Sequence, residues 1–128
     1  MFIESKSRYN FTETVGKLTD TITVNGWKIS VIHDLQESMK KSGVDVLPVK
    51  VFELCNPKYS SRLLTKDDER LYSSLMPCRF SVYEKSDGNT YISRMNSGLL
   101  AGQIGGLVEE VMQGATDETE NIIKSVTE

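Results

Sequence analysis

Both thiols of this chain lie in two short segments, Glu53-Leu54-Cys55-Asn56-Pro57-Lys58 and Met76-Pro77-Cys78-Arg79, each joining a cysteine to a proline and a cation. A thiol beside cations or at a helix N-terminus ionises more easily and becomes a nucleophile, and two such thiols within reach make a reversible dithiol pair. Asn56-Pro57 is a helix start, with Asn as cap and Pro at a first position where its missing N–H costs nothing. A helix N-terminus flanked by Lys58 and Arg79 also suits a phosphate or carboxylate. The candidate ligand-binding residues are therefore Cys55, Asn56, Lys58, Cys78 and Arg79, with Cys55 as the candidate catalytic nucleophile. Strand alternation places Cys78 on the side of Phe80 and Val82, which favours the core. Cys55 shares its side with Val49 and Val51 but also with Glu53, so its face is undecided.

Other chemistries find less support. Two cysteines and the single His33 fall short of four zinc ligands, and neither a metal nor a cofactor is called for. His33, next to the helix-capping Asp34, reads as structural. Glu53 and Glu84 lie on strands and are expected at a solvent-exposed sheet edge. No Ser-His-Asp set, Gly-rich phosphate loop or paired-carboxylate motif occurs.

The elements that hold these residues can be read in order. Phe2 to Tyr9 forms a first strand, and Asn10 with Glu13 makes a capping-box start for a helix whose stripe is Phe11, Val15, Leu18 and Ile22. Gly26 ends it, with Trp27 folding back in a Schellman-type stop. Trp27 to Ile32 is a strand, and Asp34 with Glu37 starts a short polar helix. Val49 to Leu54 is a third strand, followed by the helix at Pro57. Further helical turns run from Asp67 to Leu75. Arg79 to Lys85 and Thr90 to Met95 flank Ser86-Asp87-Gly88-Asn89, a hairpin signal.

From Leu99, apolar residues at three- and four-residue steps through Ile104, Val108, Val111, Ala115, Ile122 and Val126 predict one long amphipathic helix. Gly105, Gly106 and Gly114 weaken it locally or allow close packing against the sheet. The order β-α-β-α-β-α-β-β-α predicts an α+β domain with helices on one face of a sheet that ends in a hairpin.

Composition narrows the function classes. At 128 residues, with neither repeat nor linker, the chain reads as a single domain, 1–128. A net charge of −3, with basic clusters no longer than Lys40-Lys41, argues against a nucleic-acid surface. No basic-then-apolar leader and no apolar run of membrane-spanning length occur, so a cytoplasmic protein without membrane contact is expected. There the two cysteines are expected to stay reduced.

Asn10-Phe11-Thr12-Glu13-Thr14, Val51-Phe52-Glu53-Leu54-Cys55-Asn56-Pro57-Lys58, Leu75-Met76-Pro77-Cys78-Arg79 and Val82-Tyr83-Glu84 with Asp87-Gly88 occur in the order that resembles the domain-of-unknown-function family numbered 302. The resemblance spans nearly the whole chain. It implies a small α+β domain with a fold like a TATA-binding-protein half-domain, often a homodimer, and it brings no established activity. Two functions are then expected to compete. One is a non-catalytic binding module for an anionic or amphipathic small molecule near Asn56, Lys58 and Arg79. The other is a thiol-dependent redox or sulfur-transfer protein using Cys55 with Cys78.

Overall fold

A computed structural model describes residues 1–128 as a five-stranded antiparallel sheet with helices packed against it. The strands are β1 (Phe2–Lys6), β2 (Lys28–Asp34), β3 (Val49–Cys55), β4 (Cys78–Glu84) and β5 (Thr90–Met95), in the spatial order β1-β5-β4-β3-β2. The helices are α1 (Phe11–Val24), α2 (Leu35–Lys41), α3 (Pro57–Leu64), α4 (Ser97–Ile104) and α5 (Gly106–Lys124), with a 3-10 helix at Glu69–Leu75. No helix is long and apolar enough to cross a membrane.

Local chemistry sets the helix ends. The side-chain oxygens of Asn10, Asp34 and Asn56 accept from the backbone N–H of Glu13 at 2.8 Å, Glu37 at 3.0 Å and Lys58 at 3.1 Å. At the end of α1, Trp27 N–H donates to Ile22 carbonyl and Gly26 N–H to Thr23 carbonyl, both at 3.1 Å. That is a Schellman stop, and Gly26 supplies the positive φ of 81° it requires.

The long C-terminal helix expected from periodicity is instead two helices. Gly105 and Gly106 adopt φ of 77° and 61°, outside the helical well, so the chain turns between α4 and α5 while the apolar spacing runs on unbroken. Gly114 stays helical and serves a close approach, though to α3 and not to the sheet. A Cβ there would stand 2.8 Å from Tyr59 Cε1.

One face of the sheet carries the core. Phe52, Leu54, Phe80, Val82 and Ile92 pack with Leu18 and Ile22 of α1 and Ala115, Ile122 and Ile123 of α5. Phe52 and Phe80 face each other across β3 and β4, their rings stacked 5.1 Å apart. A smaller apolar cluster of Leu63, Val108 and Val111 joins α3 to the start of α5. Arg94 follows Thr90 and Ile92 on the same face. Its guanidinium spans to α5, donating to Glu120 at 2.9 and 2.6 Å and to Ser5 Oγ at 2.9 Å.

The opposite face is polar at the hairpin end. Tyr83 donates to Glu4, which also holds Lys85 at 2.9 Å, and Tyr91 donates to Asp87 at 2.6 Å.

Candidate functional site

β3 and β4 are antiparallel neighbours, and the register sets Leu54 opposite Cys78 and Glu53 opposite Arg79. Cys55 lies one residue beyond Leu54, so the two cysteine segments do meet at one end of the sheet. Alternation then divides them. Cys78 shares the core face with Leu54 and Phe80, whereas Cys55 shares the other face with Glu53 and Arg79. Both are free, half-buried thiols, and Cys55 Sγ has Ser60 Oγ 4.0 Å away.

A cavity of about 780 Å³ opens at this end of the sheet. Its wall takes in Cys55, Asn56, Cys78 and Arg79. Its apolar part comes from Leu54, Tyr59, Leu63, Tyr72, Met76 and Met112, and its outer lip includes Ser81 and Ser93. The lining draws on both faces because β3 and β5 stop here while β1, β2 and β4 begin. The cavity therefore wraps the strand ends between the sheet, α3, the 3-10 helix, α4 and α5.

Lys58 is not part of that wall. Its Nζ is 3.1 Å from Glu118 Oε2 and 4.9 Å from the Tyr59 ring centre. Glu118 also accepts from Tyr59 and, at 3.2 Å, from Trp27 Nε1. This cluster joins α3 and α5 and ties the stacked Trp27–Tyr59 pair of the cavity wall, with ring centres 5.8 Å apart. The start of α3 is closed to anions as well. Pro57 has no N–H, Asn56 Oδ1 takes that of Lys58, and Asn56 carbonyl takes those of Tyr59 and Ser60. Of the sequence candidates, the fold thus brings Cys55, Asn56, Cys78 and Arg79 together and turns Lys58 away.

Glu53 departs from its expected place on a solvent-exposed sheet edge. β3 is an interior strand, and the Glu53 side chain, 16% exposed, lies 2.8 Å from Arg79 Nη2 and 3.3 Å from His33 Nε2. The edge belongs to β2 and β1, which a sequence without pairing information does not reveal. No cluster of three or more His, Cys, Asp or Glu side chains is placed to hold a metal ion.

The profile of the family described as "Domain of unknown function DUF302" matches residues 3–126. The chain belongs to the DUF302 family. Among solved structures, the crystal structure of an uncharacterized conserved DUF302 protein from Bacillus stearothermophilus superposes with a TM-score of 0.83. It is 20% identical, over 96% of this chain and 95% of that one, so the likeness is one of fold. None of the curated proteins matches.

The cavity of this DUF302 domain holds its inner thiol in the protonated state. Burial, reinforced by neighbouring Cys55, pushes the Cys78 thiol up from its ordinary 9.0 to about 11. Unfolded, the same thiol ionises near its ordinary value, so the unfolded chain releases a proton that the folded one keeps. The contribution of Cys78 to stability is then complete below pH 9 and is lost as pH rises toward 11. Each pKa unit carries about 1.4 kcal/mol, so the wild type should lose about 2 kcal/mol more than Cys78→Ala between pH 8 and pH 10.5. Urea unfolding of both proteins at the two pH values checks this, because Tyr83 and Tyr91 titrate equally in each. A gap between them that stays constant across the range counts against it.

Several residues of the cavity escaped the sequence reading. Arg94 was visible in principle, since it alternates with Thr90 and Ile92 on a strand whose other members are buried. Ser81 and Ser93, hydroxyls 2.9 Å apart on adjacent strands, signal a sheet face kept low. Tyr72 carries no such mark, because its face depends on where the 3-10 helix packs.

Proposed function

We propose that this DUF302 domain is a non-catalytic binding module that takes an amphipathic small molecule into the cavity at the end of its sheet. The observation that carries this reading is the cavity itself. At about 780 Å³ it falls within the range of small-molecule pockets, mostly apolar with a few polar groups along one lip. Its lining is mostly apolar, so a hydrocarbon body seated there would be removed from water.

Trp27 supplies the test, being the only tryptophan and part of the cavity wall. Titration with ten-carbon amphipaths should change Trp27 emission and saturate at one molecule per chain by native mass spectrometry. At a hundredfold excess over Kd, the ligand should add about 2.7 kcal/mol to stability and raise the Tm by about 10 °C. No mass increment together with unchanged emission would sink the reading.

Cys55 lines the same cavity next to Cys78, which gives a thiol-dependent reaction a place. The protonated state of Cys78 weighs against its service as a partner thiolate, because exchange requires the thiolate. Binding without chemistry is therefore preferred.

A further inference from the structure

We propose that the molecule taken into the cavity ends in a single carboxylate, received at the outer lip by Arg79. This rests on the cavity-binding reading above and names the class of ligand it takes. In a chain of net charge −3, the only charged side chains in the cavity wall are Arg79 and Arg94, and no Asp or Glu lines it. A cationic head group would meet two arginines in that wall, and the carboxylate nearest the lip, Glu53, is already paired with Arg79.

The two arginines differ in what remains to be satisfied. Arg94, its side chain 10% exposed, spends its guanidinium on both oxygens of Glu120 and on Ser5. Arg79, 61% exposed, commits Nη2 alone, to Glu53 Oε1 at 2.8 Å, and its remaining donors have no protein acceptor. Two residues along the same strand face, Ser81 and its partner Ser93 add hydroxyls to the lip.

The charge of the head group follows from Glu53. That carboxylate already neutralises Arg79 in part, and His33 Nε2 lies 3.3 Å from it. A dianionic phosphate would meet one partly neutralised cation and a nearby carboxylate. A monoanion with two oxygens fits the planar fork that remains. Its hydrocarbon would run inward past Cys78 toward Leu54, Leu63 and Met112.

The experiment compares four ten-carbon probes on the full-length protein: decanoate, decan-1-ol, decyltrimethylammonium and decyl phosphate. Trp27 emission gives the affinities and native mass spectrometry the stoichiometry. Decanoate should bind about tenfold more tightly than decanol or decyltrimethylammonium, the size of one charge-assisted hydrogen-bonded contact, and no less tightly than decyl phosphate. Arg79→Met should bring the decanoate-to-decanol ratio close to one while leaving decanol affinity within about twofold. The comparison of probes on the wild type stands whether or not the variant folds.

Equal affinity for decanoate and decanol, tighter binding of decyl phosphate, or a ratio unchanged in a folded Arg79→Met protein each overturns the carboxylate assignment and leaves cavity binding standing. Binding of none of the probes overturns both.

Discussion

Phe52→Ala should destabilise the protein by about 3 to 5 kcal/mol, the cost of removing a buried aromatic side chain from a core that relaxes only in part. Phe52 is fully buried on the interior strand β3, stacked on Phe80 and packed within the cluster that α1 and α5 close over. The loss has two parts, the transfer of the ring from water and the void left between sheet and helices. With a urea m-value of about 2 kcal/mol per M, the midpoint should fall by about 2 M. Phe52→Leu keeps most of the volume and loses only the ring pairing, so it should cost about 1 kcal/mol. A Phe52→Ala midpoint within 0.5 M or so of the wild type would mean that the β3–β4 centre is not where the core is tightest.

The second large effect concerns the Arg94–Glu120 pair. Arg94→Met should cost about 2 to 3 kcal/mol, somewhat below the loss for a fully buried pair because Glu120, 27% exposed, can still reach water. The loss comes mainly from leaving the Glu120 carboxylate, 27% exposed, without its partner, and Ser5 Oγ also loses its donor. Arg94→Met combined with Glu120→Leu removes both charges and should recover about 1 kcal/mol or more of the Arg94→Met loss. A double-mutant cycle in urea measures the coupling. Additivity within about 0.5 kcal/mol would make the pair a surface contact of little consequence.

These two results would separate two layers of the fold. Phe52 holds the sheet to its helices, while Arg94 and Glu120 fix β5 to α5 across one side of the cavity. Tyr59, Trp27 and Lys58, gathered by Glu118, fix α3 to α5 on another.

The element order was legible in the chain because the rules that set it are short-ranged. A cap needs a side-chain oxygen two or three residues from an N–H, and Asn10, Asp34 and Asn56 each supply one. A hairpin needs four turn residues, and the side a strand residue faces follows from counting by twos, which placed Cys78 with Phe80 and Val82. Where spacing competed with backbone preference, as at Gly105 and Gly106, apolar periodicity predicted a continuous helix and the two positive-φ residues broke it.

What only the tertiary structure decided is which surfaces meet. The order β1-β5-β4-β3-β2 makes β3 interior and so takes Glu53 from an expected edge to a partner of Arg79 and His33. The same order brings both cysteine segments to one sheet end, while the packing of α3 on α5 pairs Lys58 with Glu118. Each of these contacts joins residues far apart in sequence. Whether a cation is free or spent depends on the nearest opposite charge in space, and no local pattern records that distance.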